Sequence, residues 1–318
     1  MDHNYQNLVF KGGGVKGVAY AGALEALHER TCLGKLKRVA GTSAGAITAA
    51  LLAVGYTPKE ITDIVVNDMD FESFMDSSWL AKNIWRFFKH YGWYKGDAFS
   101  GWLMEKMKQK TGSGQLNFME LNELHGVQPN NYKQLFVVAT DLSRQTPVIF
   151  SHQHNNYTPI AKAVRMSMSI PLFFKSIKWN GSVMVDGGMA YNYPIDLFDA
   201  PPYHTTTQAS DPINKETLGL WLDTKAGIDN LRRHMPQPPK EIQGIRSYST
   251  SLVAYLMEMA NQAHLEPHDW NRSVLIDTLD IQATDFSKVK TRMPELVQSG
   301  KEGVRNYFEW LDKSIKTS

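Results

Sequence analysis

Twice before Val54 the chain runs from a short apolar strand through a glycine-bearing turn into a helix. Leu8-Val9-Phe10 meets Gly12-Gly13-Gly14, and apolar residues then recur at helical spacing from Val18 to Leu27. Arg38-Val39-Ala40 enters Gly41-Thr42-Ser43-Ala44-Gly45, and an Ala/Leu-rich run from Ala46 to Val54 leaves it. Two adjacent strand–turn–helix units favour parallel strands, because a helical crossover returns the second strand in the direction of the first. Further strands are expected at 135–139, 148–151, 183–185, 218–222 and 274–276, with helices at 157–168, 244–263 and 293–311. The fold class is therefore α/β, with a mainly parallel sheet covered by helices. With 318 residues, 42% of them hydrophobic, a single domain over 1–318 can bury its own core. Pro236, Pro238 and Pro239 mark a short extended connector, and one domain with an insertion is expected.

Ser43 stands between two glycines where a strand ends and a helix begins, a context in which a sharp turn pushes a hydroxyl out of the backbone. The glycines keep β-carbons out of a strained turn, and the helix N-terminus offers partial positive charge to a developing anion. A small-residue turn that only packs a helix on a sheet has the same composition, so the motif by itself decides nothing. Gly12, Gly14 and Gly17 satisfy the spacing of a dinucleotide-binding turn. Such a site takes an Asp or Glu at the end of the second strand, where this chain has Ala40-Gly41-Thr42-Ser43. Lys16 is followed by Gly17 and not by Ser or Thr, so this is not a Walker loop. What remains is an oxyanion hole, with backbone N–H groups aimed at the negative oxygen of an acyl-transfer intermediate.

A serine hydroxyl is a weak nucleophile until a neighbour accepts its proton. Asp186 follows Val183-Met184-Val185 and opens Asp186-Gly187-Gly188, which leaves a carboxylate at a strand end with little bulk around it. An Asp-Gly turn whose carboxylate caps local N–H groups would look the same. Pairing with Ser43 tips the reading toward a general base. His204, His234, His264 and His268 are in range to complete a Ser–His–Asp set, but none lies in a strand-end glycine loop, and a Ser43–Asp186 dyad is preferred.

In order and spacing, Gly12-Gly13-Gly14-x-Lys16-Gly17, Gly41-x-Ser43-x-Gly45 and Asp186-Gly187-Gly188 resemble the bacterial patatin-like phospholipases. Ala139-Thr140-Asp141-Leu142, the run Arg165 to Pro171, Asn192-Tyr193-Pro194, Ile276 to Leu279 and Asp285-Phe286 are similar as well. The resemblance implies a three-layer α/β/α fold and hydrolysis of lipid acyl esters, of the phospholipase A or lysophospholipase type, with no metal or other cofactor. It also implies Ser43 as nucleophile, Asp186 as its base, and the amides of Gly12, Gly13 and Gly14 as oxyanion hole. Lys16 stands where the family usually has a basic residue. Phe10-Lys11 departs from the small or acidic residue common there, and is expected to alter charge at the mouth of the site. The alternative is a non-catalytic lipid- or protein-binding member of the same fold, against which the intact Ser43 and Asp186 argue.

Thirty-four Lys and Arg against 32 Asp and Glu leave a net charge of +2, short of what a dedicated nucleic-acid binder carries. Cys32, the single cysteine, cannot form an internal disulfide or a thiolate zinc site and is read as a packing residue. No secretory signal is readable at the start, and no run of eighteen apolar residues occurs, so cytoplasmic residence with peripheral membrane contact is expected. Export without an N-terminal signal, an activating partner and self-association stay open. A lid or membrane-contact insertion is expected around 70–115. Written as a helix, Trp79 to Lys95 places Leu80, Ile84, Phe87, Phe88 and Tyr91 on one stripe with Lys82, Arg86 and Lys89 off it, though the same stripe could face the core. A second stripe, Tyr248, Leu252, Tyr255, Leu256 and Met259, is expected to pack into the core, with an acyl-chain groove as the alternative.

Overall fold

Along each central strand, successive residues enter two different cores. Leu8 and Phe10, Val39, Leu135 and Val137, and Leu220 and Leu222 belong to one; Val9, Ala40, Phe136 and Trp221 belong to the other. A strand buried on both faces needs this period of two with no polar face, which is why these segments read as unbroken apolar runs. The computed structural model describes residues 5–69, 92–204, 213–232, 235 and 242–317. Its strands are β1 (Asn7–Phe10), β2 (Arg38–Thr42), β3 (Gly92–Tyr94), β4 (Gln134–Asp141), β5 (Thr146–Phe150), β6 (Leu172–Phe174), β7 (Ile177–Trp179), β8 (Ser182–Asp186), β9 (Thr217–Asp223) and β10 (Ser273–Asp277).

The main sheet has the order β10-β9-β1-β2-β4-β8-β7, with β5 also paired to β4. Strands β10, β9, β1, β2 and β4 are parallel, as the two opening units require; β5, β7 and β8 add antiparallel pairs. The first core lies beneath α1 (Ala19–Glu29), α2 (Ala44–Ala53), α3 (Ile160–Ser167) and α5 (Phe286–Thr317). The opposite face is covered more thinly, by Ile195 and Phe198 of a 3-10 turn, Ile228 of the helix Lys225–Arg232, and Trp270. The result is the three-layer α/β/α arrangement, with one deep and one shallow helical layer.

Register along β4 determines where two strand ends meet. β2 pairs with β4 from Gln134 to Val138, and β5 occupies the other edge from Val137 to Asp141. β8 pairs with Ala139, Thr140 and Asp141, so it must lie on the edge that β2 has just vacated, running in the opposite direction. Thr42 therefore ends β2 opposite Val138, and Asp186 ends β8 opposite Ala139. The two strands meet head to head.

Two expectations are corrected by the packing. α4 (Gly244–His264) buries Val253 and Asn261, whereas Tyr248, Leu252, Tyr255, Leu256 and Met259 are exposed by 41 to 62%. The periodicity marked a real stripe, but it faces outward. Lys11 is not at the mouth of the site: it is buried, its Nζ lies 3.6 Å from the centre of the Trp221 ring, and it donates to the Leu222 carbonyl at 3.2 Å. A ring face and a carbonyl together offset the loss of water around the ammonium. Of the expected amphipathic segment Trp79 to Lys95, residues 79–91 lie outside the described residues; further along, the helix Asp97–Thr111 buries Phe99, Leu103 and Met107 in the first core. No described helix is long and apolar enough to cross a membrane.

Candidate active site

The turn after β2 holds Ser43 at φ 53° and ψ −123°, a conformation that L-residues avoid. Serine at a helix N-cap ordinarily turns its oxygen back onto the first-turn amides. Here it makes no such cap bond. The strain and the missing cap have one outcome, a hydroxyl directed away from its own helix. The flanking glycines are required by close approach: a β-carbon on Gly41 would lie 2.4 Å from the Gly45 backbone, and one on Gly45 would lie 2.4 Å from the Phe10 carbonyl oxygen. That second contact seats the start of α2 against the end of β1, and so brings the opening glycine loop beside Ser43.

Asp186 is fully buried at the meeting of β8 with β2. A β-carbon on the next residue, Gly187, would lie 2.2 Å from the Val138 carbonyl oxygen and 2.8 Å from Thr42 Cγ2, which shows how tightly the two strand ends abut. The Oδ1 atom accepts from the Gly188 N–H at 2.8 Å, while Oδ2 has no hydrogen-bond partner among the described residues. Burial pushes the carboxyl pKa up to about 7, against the opposing pull of the nearby Ser43 hydroxyl and the Gly188 N–H. The Ser43 hydroxyl is thus close enough to favour the ionised carboxylate, yet it forms no well-aligned bond to Oδ2, the looser geometry usual before substrate binds.

The glycine loop divides its amides. The Gly12 N–H already donates to the Asn192 carbonyl at 3.0 Å, and that of Val15 to Ala283 at 3.0 Å. Between them, the N–H groups of Gly13 and Gly14 make no hydrogen bond among the described residues. Gly14 has φ +58°, and a β-carbon there would lie 2.1 Å from the Ala283 carbonyl oxygen. Lys16 is on the 3-10 turn that follows and is partly exposed.

Two supporting residues lie in stretches that resemble the family but carried no role of their own there. Ser167, at the end of α3, accepts the Ser43 N–H at 2.8 Å and donates to the Val138 carbonyl at 2.5 Å. Two residues on, the Ser169 carbonyl accepts the Asp186 N–H at 2.9 Å. One short segment therefore holds both catalytic candidates by their amides. Arg165, buried, ties this segment down by donating to Ser169 Oγ at 2.6 Å and to the carbonyls of Gly96 and Lys175 at 3.1 Å. The second such residue, Asn192, is buried against Gly12 and Gly188 with its Oδ1 unpartnered among the described residues.

From Ser43 a narrow apolar pocket runs beside α2. Gly14, Ala44 and Ile47 line it near the serine; Leu51, Val65, Phe99 and Phe286 are among its further walls. Leu51 is eight residues along α2 from Ser43, about 12 Å by the helical rise. Of the histidines, the His264 ring lies tilted against that of Tyr191, with centres 5.0 Å apart, and His268 lies 3.6 Å from Asp269, and neither lines this pocket; His234 lies outside the described residues.

Residues 8–199 match the family model for patatin-like phospholipases. YqhO of Bacillus subtilis, an uncharacterized protein, is 31% identical over 312 residues, 93% of this chain and 96% of its own. The probable lipid hydrolase 463L of invertebrate iridescent virus 6 is 30% identical over 205 residues, 63% of this chain and 64% of that one. VipD from Legionella pneumophila shares the fold with a TM-score of 0.65 at 18% identity, covering 96% of this chain and 67% of VipD. ExoU, solved with SpcU from the type III secretion system of Pseudomonas aeruginosa, shares it with a TM-score of 0.52 at 20% identity, covering 96% of this chain but 52% of that chain. With a family match across more than half its length and a bacterial relative aligned almost end to end, the chain belongs to the patatin-like phospholipase family.

Proposed function

We propose that this protein hydrolyses acyl esters of lipids, with Ser43 as nucleophile and Asp186 as its general base. The observation that carries the reading is the meeting of β2 and β8 on one edge of β4, which brings a strained, uncapped serine to a buried carboxylate. A carboxylate with a pKa near 7 can accept a hydroxyl proton at neutral pH, which an ordinary Asp does poorly. Ser43 Oγ attacks the ester carbonyl as Asp186 takes its proton, and the N–H groups of Gly13 and Gly14 receive the negative oxygen. Gly12, whose N–H is bonded to Asn192, shapes the loop. The alcohol leaves with the proton held by Asp186, and water then releases the fatty acid from Ser43. The apolar pocket takes the acyl chain.

The whole chain acts as one catalytic domain in this reading, with the stretch around 70–115 serving as lid or membrane contact. The exposed stripe of α4 extends that contact. Met257 on the same helix reaches the Asp186 loop, its Cε lying 2.2 Å from where a β-carbon on Gly188 would sit. A helix that touches the site with one side and presents tyrosines and leucines to solvent with another suits work at a lipid surface. The test is mass-spectrometric profiling of fatty acids freed from mixed liposomes by wild type and Ser43→Ala in parallel. Release by the wild type alone is expected; equal release by both would overturn the assignment.

A further inference from the structure

A dyad without histidine has one base for two steps. During acylation Asp186 faces a hydroxyl that donates to it. Once Ser43 is esterified that donor is gone, and the incoming water needs acceptors to orient it. Asp186 Oδ2 is one. The second unpartnered buried acceptor beside the nucleophile is Asn192 Oδ1, on a side chain only 4% exposed. Buried side-chain oxygens are nearly always paired, so one left unpaired at a reacting centre calls for a donor.

The glycines place this oxygen. A β-carbon on Gly12 would lie 2.1 Å from Asn192 Oδ1 and 3.3 Å from Ser43 Cβ. A β-carbon on Gly188 would lie 2.7 Å from the same oxygen and 3.0 Å from Asp186 Oδ1. The carboxamide thus occupies room that both loops leave by lacking side chains, close to both the nucleophile and the base. Its backbone carbonyl holds the Gly12 N–H independently of the side chain.

We propose that Asn192 Oδ1 and Asp186 Oδ2 together hold the hydrolytic water, which makes Asn192 a catalytic residue of the deacylation step. The inference rests on the Ser43–Asp186 reading. The water donates one hydrogen to each oxygen and directs a lone pair at the acyl carbon. As its oxygen bonds to that carbon, its proton passes to Asp186 and the carbonyl electron pair moves onto the oxyanion. Collapse of the intermediate breaks the bond to Ser43 Oγ, which recovers the proton from Asp186, so the balance is one ester and one water to one acid and one free serine.

The test uses Asn192→Leu, close in shape but without the acceptor, and Asn192→Ala as a second variant, each turning over a p-nitrophenyl ester. The expected result is a p-nitrophenol burst of wild-type rate and amplitude, followed by steady-state turnover lowered roughly 10- to 100-fold, the scale of a misplaced reactant. Fluorophosphonate labelling, which reads the first step, keeps its rate and its pH midpoint. The melting temperature of Asn192→Leu does not fall, since an unsatisfied acceptor is removed. Unchanged steady-state turnover overturns the proposal, as does a burst or labelling rate slowed in proportion with turnover or a shifted labelling midpoint, because those mark acylation or the fold. A wild type that shows neither burst nor label contradicts the Ser43–Asp186 reading itself, and the water site with it.

Discussion

Thr42 and Asp186 occupy consecutive rungs of the same edge of β4, Thr42 opposite Val138 and Asp186 opposite Ala139. Ser43 follows Thr42 directly, so the proposed nucleophile after the second strand and the carboxylate that ends the eighth are brought together by sheet register and not by loop flexibility. Sites built on strand ends hold geometry better than sites on loops. The cost is local: a backbone at φ 53° for Ser43 and a carboxyl taken wholly out of water.

The buried carboxyl makes activity and stability run in opposite directions with pH. The proposed mechanism needs the carboxylate, so kcat/KM on a soluble ester is expected to rise as pH passes through about 7. The folded chain favours the protonated form and binds more protons than the unfolded chain between the ordinary aspartate range and 7. Stability is therefore full below that interval and declines as pH rises through it. Asp186→Asn, neutral throughout, unfolds at a higher temperature than wild type at pH 8, and the gap closes toward pH 4. Thermal melts across that range check the sign; a gap that widens at low pH contradicts it.

Strain at the nucleophile is measurable by relieving it. Ser43→Gly abolishes turnover and raises stability by about 1 kcal/mol, the strain of a disfavoured backbone less the added freedom of glycine in the unfolded chain. Urea unfolding gives the comparison, and a destabilised Ser43→Gly would contradict the account of the turn.

Ser167 accepts the Ser43 N–H and so holds the proposed nucleophile by its amide. Ser167→Ala leaves the buried Ser43 N–H without its acceptor and the Val138 carbonyl without its donor. A loss of about 1–3 kcal/mol of stability is expected. Fluorophosphonate labelling of Ser43 slows as well, and Ser167→Thr, which keeps the oxygen, restores the rate. Labelling at the wild-type rate in Ser167→Ala would reduce Ser167 to a packing residue.

The outward face of α4 is testable with vesicles. Leu252→Ser with Tyr255→Ser removes two exposed apolar groups without touching Val253, which packs inward. Flotation with liposomes is expected to weaken several-fold, while hydrolysis of a soluble ester is unchanged. Undiminished flotation would assign membrane contact to other residues.

What could be read in the sequence, and what could not, divides along physical lines. The two glycine turns and Asp186 were visible because close backbone approach and a strand-end carboxylate leave residue types at recognisable places. Ser167 and Asn192 stood out only as members of stretches that resemble the family, and their roles were not legible, since an amide-holding serine looks like any helix-end serine and a buried carboxamide like any loop asparagine. Lys11 read as a charge near the mouth because its partner, the Trp221 ring, is more than two hundred residues away in sequence. Periodicity identified the stripe on α4 but carries no information on which side is covered. The antiparallel direction of β8 was equally hidden, as a short apolar run carries no sign of its direction; the Asn180-Gly181 turn was the nearby cue. Helix α5 begins at Phe286, ahead of the expected start at 293, because Pro294 reads as a first-turn proline although the helix runs through it.

The central claim, that Ser43 is the nucleophile activated by Asp186, is tested most directly by intact-protein and peptide mass spectrometry after exposure to a fluorophosphonate. The account predicts a single adduct on the wild type located at Ser43, none on Ser43→Ala, and much slower labelling of Asp186→Asn at neutral pH. A wild type that frees fatty acid while Ser43 stays unmodified, or an Asp186→Asn variant labelled at the wild-type rate, would contradict it.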